Sequence, residues 1–428
     1  MPSASEAARR MLRSLLQDRS AQNLAGAQRG PEGRPLKPWI RPSKRLNPTF
    51  TAAHWRTLTT AGPATAADQA ELYDAKAQAE LEHYGRNIEN YVGTVSVPVG
   101  VVGPLRINGL FASDDFYVPL ATTEAALVAS YGRGARLISA AGGCAAAVLA
   151  EGVHRAPGFA FANLADAGLF TQWVIGEQER LKQAADATSR FGRLVDLSPH
   201  LEGDHVYLVC TYLTGDAAGQ NMVTIATDAL CRSIEQNCPV KPLYWFVETN
   251  LSGDKKASAL SFMSVRGRKV SAEIVIPAEL VESQLHTTSR RMQDYWRMSA
   301  LGGVMSGSIG VQGHYANGLA ALYLATGQDV ACVAESAVGV TRFELREDGA
   351  LYASVTLPNI IVGTVGGGTS LPSQAAGLSI LGLKGDGKAR ALAEVCAAVC
   401  LAGELSIIGA LAAGHFARAH ASLARAKP

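Results

Sequence analysis

The chain has 428 residues, 48% of them apolar and 18% charged, with a formal net charge of +2. That length has room for roughly two or three domains around a large core, the composition excludes a disordered chain, and the near-neutral balance gives no broad electrostatic case for nucleic acid or an anionic membrane. Seven dispersed cysteines, without a CxxC pair or a Cys/His cluster at zinc spacing, point to reduced thiols in the cytoplasm and not to a disulfide framework or a metal site.

The N-terminus, MPSASEAARRMLRSLLQDRS, is charged and amphipathic and lacks the apolar centre of a secretory signal, and Glu6 and Asp18 argue against a transit peptide. A Pro/Gly/Arg-rich stretch up to residue 45 reads as a linker or loosely held arm. Residues 65–88 predict one helix, from good formers without Pro or Gly until Gly85. VSVPVGVVGPLRI (95–107) predicts a strand punctuated by turn residues.

The run FYVPLATTEAALVASYG (116–132) carries a single charged side chain, Glu124. A carboxylate among apolar and hydroxylated neighbours loses hydration. Its charged form is then disfavoured, which makes it a proton donor near neutral pH. A carboxylate satisfied by Thr122, Thr123 or a helix N-terminus would account for the same pattern.

The middle third predicts strand (159–164), helix (165–187), strand (192–198), strand (205–213), helix (221–237) and strand (242–248). The order β-α-β-β-α-β is the ferredoxin-like arrangement. Beyond it, 269–277 predicts a strand, AELVESQLHTTSRRMQDYWRMSALGG one long helix, GHYANGLAALYLATG another, 351–370 a strand running into a Gly-rich turn, and 388–425 a helical tail. VCAAVCLAGELSIIGALAAG (395–414) is apolar enough to be mistaken for a membrane span. Its small residues and mid-segment Glu404 favour a buried helix, in the core or at a subunit interface.

Several segments carry chemistry. GDKKASALSF puts Asp254, Lys255 and Lys256 in a loop after a strand, where a lysine beside an acid can hold a developing oxyanion or simply face solvent. ATGQDVACVAES places Asp329 after an apolar helix, as a functional group or a cap. GTVGGGTS (363–370) lets backbone amides approach a phosphate, or makes a plain tight turn. It lacks the GxGxxG spacing and the following acidic residue of a Rossmann site. GDAAGQNM, with Gly219 before a helix, offers a second anion site. Ser189 and Arg190 at a helix-to-strand turn are suited to a phosphate. GHFARAH carries His415 and His420, either of which can donate a proton near neutrality.

Taken in order, ENYVGTVSVPVGVVGP, ATTEAALVAS, DAAGQNM, DKK, HYAN, GQD, GTVGGGT and GHFARAH make the chain resemble the 3-hydroxy-3-methylglutaryl-CoA (HMG-CoA) reductases from about residue 86 to 425. The resemblance implies an α+β fold. It implies a large domain around a long central helix, with an inserted ferredoxin-like domain that binds the nicotinamide cofactor without a Rossmann fold. The implied boundaries are 1–88 for an N-terminal arm and small helical region, 89–156 and 248–428 for the large domain, and 157–247 for the cofactor domain. The implied reaction is a four-electron reduction with two NADPH, from thioester through hemithioacetal and mevaldehyde to mevalonate and free CoA.

By the same resemblance Lys255 holds the carbonyl oxygen, Glu124 supplies the proton, Asp329 lies between them and tunes both, and His420 protonates the departing thiolate while His415 does not. Arg155 and Lys256, with Asn317 and Asp254, would meet the substrate carboxylate. Ser130, Arg133 and His314 would meet CoA. Asp216, Gly219, Asn221 and the 363–369 loop, Gly366, Gly367, Gly368 and Thr369 included, would meet the cofactor, with Ser189 and Arg190 on its 2′-phosphate. Arg297 lies near a substrate-facing lysine of the family and stays unassigned. The family differs at Ala218, Val333, Ala419 and Ala426, the last replacing a regulatory serine of eukaryotic members. The resemblance further implies a homodimer or an assembly of dimers without a membrane anchor. The competing expectations are an NADH-dependent, degradative reductase and a non-catalytic CoA-binding relative.

Overall fold

The computed structural model describes Glu6, Pro38, Ile40 and residues 46–414, and the chain divides into two compact units, Met1–Ser96 and Val97–Pro428. In the first unit the described helices are α1 (Pro48–Ala61), α2 (Ala66–Leu72), α3 (Ala75–Ala79) and α4 (Leu81–Tyr84). The single helix predicted over 65–88 is therefore broken. Asp74 accepts from the Ala77 amide and starts α3 afresh, because a side-chain cap competes with helix continuation. Trp55, Tyr73, Leu81 and Tyr91 form this unit's core, and the Trp55 indole donates to the Val92 carbonyl at 2.8 Å. That packing places Tyr91 and Val92 with the helical unit, which extends to Ser96.

The second unit opens with a hairpin, β1 (Val99–Gly109) and β2 (Ser113–Ala121), followed by α5 (Leu127–Ala140) and β3 (Cys144–Arg155). The hairpin partner β2, helix α5 and strand β3 have no counterpart among the predicted elements. Next come β4 (Gly158–Ala160), α6 (Leu164–Gly176), α7 (Gln178–Asp186), β5 (Arg193–Glu202), β6 (His205–Leu213), α8 (Gln220–Asn237) and β7 (Tyr244–Phe246). These strands lie in the order β7-β4-β6-β5 and are antiparallel throughout. The helix predicted over 165–187 is two, parted at Glu177 after Gly176. Strand β4 is short because Asn163 already caps α6 by accepting from the Asp166 amide. Phe159, Phe161, Phe170, Leu208 and Ile234 belong to a separate core here.

The chain then forms β8 (Gly267–Ile276), α9 (Ala278–Leu285), α10 (Ser289–Ser306), β9 (Gly310–Val311), α11 (Tyr315–Thr326), α12 (Val333–Ser336), β10 (Gly339–Leu345), β11 (Leu351–Ile360), α13 (Pro372–Ile380) and α14 (Ala389–Ala412). The long helix predicted from residue 278 is two, because His286 takes a left-handed conformation and Thr288 caps α10. Strand β3 joins both parts of the sheet: its first half pairs with β8 and its last residues with β6. Neighbours are antiparallel except β1 with β3 and β9 with β10, which is not the parallel sheet of a Rossmann domain.

Helix α14 is long and apolar enough to cross a bilayer, yet it is mostly buried inside this unit. Its small residues allow that: a Cβ on Gly134 of α5 would stand 1.9 Å from the Ala402 carbonyl of α14, so the two backbones touch. Its two carboxylates are fully buried and accept from backbone amides, Glu404 from the Thr341 hydroxyl as well. Glu394 accepts from Phe111, Ala112 and Val148, and Glu404 from Gly313 and His314. All seven cysteines are unpaired and buried.

Candidate active site

Four loops from separate places in the sequence converge in the second unit. The GDKK loop leaves Gly253 and carries Lys255 in a left-handed conformation, φ +56°. A non-glycine residue there costs about 1–3 kcal/mol and persists only where its surroundings hold it. Lys255 Nζ meets Asp329 Oδ2 at 2.7 Å, both side chains about two-fifths exposed. The hydrogen bond to Asp329 raises the lysine pKa above its ordinary value, against a smaller opposing effect of burial. Asp329 is fixed in turn: its other oxygen accepts from the Ala331 amide at 3.0 Å.

The GQD loop presses on the Gly-rich loop. Gly327 has φ +72°, and a Cβ there would lie 2.4 Å from the Gly368 carbonyl. Gln328 is buried and exchanges two hydrogen bonds with the backbone of Gly363, 2.8 and 3.0 Å. Thr369 Oγ1 donates to Gly366 O at 2.6 Å, and Gly367 and Gly368 open the short helical turn Gly367–Ser370. The GDAAGQNM loop joins them through Thr364 N and Asp216 O, 2.9 Å. Gly219 sits at the N-cap of α8 with φ +80°, and no side chain among the described residues caps that end. Asn221 is exposed in its first turn. Asp216 does not offer a free carboxylate: it accepts from Gly387 and Ala389 and so caps α14. Beside these loops a cleft of about 460 Å³ is lined by Phe191, Arg193, Asp216, Ala218 and Arg390, among others. Ser189 Oγ accepts from the amides of Phe191 and Gly192, and the exposed Arg190 lies over the Phe191 ring at 5.7 Å.

Beneath Lys255 is a layer of charge of which the sequence pointed to Arg155, Asp254 and Lys256 but not to Glu248, Arg266 or Glu335. Arg155 is buried, and its terminal nitrogens reach Asp254 Oδ2 at 2.9 Å, Glu248 Oε2 at 3.2 Å and Gln220 Oε1 at 3.2 Å. As placed, it faces the protein's own carboxylates, and a substrate carboxylate would have to displace one of them. Lys256 is exposed, with Nζ on the Asp254 carbonyl at 3.0 Å. Asp254 also accepts from Arg266 at 2.7 Å. Burial alone would raise the Asp254 pKa, but Arg266 and Arg155 together hold it below the usual range. Arg266 completes the layer with an ion pair to Glu335, whose carboxyl is pushed up by burial more than Arg266 draws it down. Charged residues at Arg266 and Glu335, flanked by strand and helix formers, were the available signal.

A second cluster forms at the other end of α11. Asn317, in the first turn, donates to Glu124 Oε2 at 2.8 Å. Glu124 is exposed, so the desolvation expected from its apolar run is not found; those neighbours turn into α5 and the sheet and leave the carboxylate at the surface. Ser130 Oγ is 2.8 Å from Ser406 Oγ, and Arg133 grips the same serine by its hydroxyl and carbonyl. His314 Nδ1 lies 3.3 Å from Glu404 Oε1, and its ring stacks on Tyr131 at 5.3 Å. Together Glu124, Ser130, Tyr131, Arg133, Arg136, His314 and Asn317 line a cleft of about 440 Å³ whose remaining wall is apolar.

From Asn317 to the last residue of α11, Thr326, the helix rises about 14 Å at about 1.5 Å per residue. Asp329, which contacts Lys255, follows one end of this helix, and Asn317, which holds Glu124, lies at the other. Arg297 is exposed on α10 and 3.8 Å from Asp294. His415 and His420 lie outside the described residues.

The profile of the hydroxymethylglutaryl-coenzyme A reductase family matches residues 54–425. A 3-hydroxy-3-methylglutaryl-coenzyme A reductase of Aeropyrum pernix is 46% identical over 350 residues, covering 80% of this chain and 83% of its own. One of Haloferax volcanii is 45% identical over 344 residues, covering 79% and 85%. The fold is similar to the solved class II 3-hydroxy-3-methylglutaryl-CoA reductase of Streptococcus pneumoniae bound to NADPH, with TM-score 0.64 at 22% identity over 80% of this chain and 94% of that one.

Proposed function

The chain belongs to the hydroxymethylglutaryl-CoA reductase family, and from that premise we propose that it reduces HMG-CoA to mevalonate and free CoA with two NADPH. The observation that carries the reading is the Lys255–Asp329 pair, 2.7 Å apart, at the point where the GDKK, GQD, Gly-rich and GDAAGQNM loops meet. NADPH would supply the hydrides. The residues present fit it: the 460 Å³ cleft offers an exposed aromatic face at Phe191 and guanidinium groups at Arg193 and Arg390, and its lining residue Ala218 is followed directly by Gly219 at the N-terminus of α8. Arg190, with Ser189 in the same turn, would take the 2′-phosphate.

Lys255 places a cation where the thioester carbonyl oxygen gains charge, and stabilises it as the carbon becomes tetrahedral. Collapse of the hemithioacetal breaks the C–S bond and expels the CoA thiolate, which His420 would protonate. Lys255 then holds the aldehyde oxygen through the second reduction, and Glu124 delivers the proton that completes the alcohol. Lys256, exposed beside Asp254, would meet the substrate's free carboxylate. Arg155 would hold Asp254 beneath it. The apolar cleft at Ser130, Arg133 and His314 would take the CoA arm.

Because Glu124 and Lys255 stand at opposite ends of α11, the complete site would be assembled from two copies. Met298, Leu301, Val304 and Met305 are exposed along one face of α10, an apolar surface suited to such a contact. Buried, unpaired thiols are in keeping with a cytoplasmic enzyme. The test is the initial rate of cofactor oxidation with HMG-CoA, using NADPH and NADH in turn. Rapid turnover with NADPH and release of thiol are expected, and Lys255→Ala should lower it by about a hundredfold or more. Preference for NADH would favour the degradative direction, and no oxidation with either would refute the reading.

A further inference from the structure

Lys255 is anchored more heavily than an exposed lysine requires. It is tied at two points to one short segment. Its ammonium meets Asp329, and its backbone amide donates to Glu335 Oε1 at 3.2 Å. Glu335 has no exposed surface and Arg266 only 2%. Arg266 Nη1 binds both oxygens of Glu335, while Nη2 donates to Asp254 Oδ1 and to Gln220 Oε1, each at 2.7 Å. The series Glu335, Arg266, Asp254 thus closes on Lys255 from both sides: Asp254 is its chain neighbour, and Glu335 takes its amide. The left-handed backbone at Lys255 needs such support to persist.

We propose that Glu335, through its ion pair with Arg266, is a positioning residue that locks the Lys255 backbone so that the ammonium stands ready against Asp329. Glu335 touches no reacting atom; it acts through Lys255. The inference rests on the reductase reading above and adds a residue to its machinery. A lysine displaced by about 1 Å loses preorganisation and costs up to about a hundredfold in rate.

The first experiment is Glu335→Gln, which keeps shape and removes charge. kcat should fall about tenfold to a hundredfold, with KM for HMG-CoA and for NADPH within about twofold of the parent. The second is the double variant Arg266→Met with Glu335→Leu. Apolar replacement of both partners of a buried ion pair is often neutral for stability, and Asp254, the other carboxylate on Arg266, keeps its ion pair with Arg155. Its unfolding midpoint should therefore return toward the parent while kcat stays low. A kcat that returns together with stability would mark the pair as a mere prop and overturn the proposal, as would a folded Glu335→Gln with parental kcat. Should neither variant fold, hydrogen exchange on the unmodified protein decides. The Lys255 amide should exchange about a hundredfold more slowly than an unstructured amide; exchange at the unstructured rate overturns the proposal. That readout does not depend on turnover. An unmodified protein that fails to reduce HMG-CoA refutes the reductase reading instead.

Discussion

Mixing two inactive variants would reveal whether the site is shared. Lys255→Ala removes the cation at the Asp329 end of α11, and Glu124→Gln removes the carboxylate that Asn317 holds at the other end. Each alone should lower turnover by about a hundredfold or more. With about 14 Å of helix between Asn317 and Thr326, counted at about 1.5 Å per residue, the shared-site reading has the two groups act on one carbonyl from different chains. In a hybrid dimer, one site would then combine an intact Glu124 with an intact Lys255, and the other would carry both substitutions. Equal co-expression makes about half of the dimers hybrids, and half of their sites are whole, so about a quarter of parental turnover should return. The assay is the rate of NADPH oxidation in the co-expressed pool against each variant alone. A pool no faster than the separate variants would refute the shared site, and so would a fully active monomer in sedimentation.

Arg190→Ala should raise KM for NADPH about tenfold, through loss of a charge-assisted bond to phosphate, and leave KM for NADH almost unchanged; an equal rise for both cofactors would mark a structural arginine. His420→Gln should slow reduction of HMG-CoA severely and spare reduction of added mevaldehyde, because only the first expels a thiolate; equal loss in both assays would remove it from that role. His154 is buried on β3, and burial, with Arg266 adding to it, lowers its pKa from 6.5 to about 4. The folded chain thus favours neutral imidazole. This contribution to stability is whole above about pH 6.5 and is lost as pH falls toward 4, with a slope of up to about 1.4 kcal/mol per pH unit. His154→Asn should flatten that part of the unfolding free energy against pH; an unchanged slope would place the acid sensitivity elsewhere.

The sequence was most informative where hydrophobic period and chemistry are local. HVYLVCTYL alternates and is β6 over the same residues, and the Ala/Gly-rich segment around Glu404 is a helix buried on nearly all sides. Two breaks inside the predicted helices fall where a polar side chain caps a new start, at Asp74 and Thr288, while the break at Glu177 follows Gly176 without such a cap. What was hidden depends on distant partners. Glu335 and Arg266 are 69 positions apart, and Glu404 reaches His314 across 90. Glu124 shows the opposite limit: its apolar neighbours in sequence say nothing of which way the carboxylate faces, and it faces out.

The buried cysteines bear on how this protein can be measured. Burial pushes the Cys144 and Cys396 thiols up to about 12 and the other five upward as well, so in the native chain almost none is present as the reactive thiolate. A chromogenic disulfide that counts released CoA would therefore read product against a nearly silent background. When the chain opens, all seven thiols become titratable at once, and the same reagent then reports the fraction of protein lost.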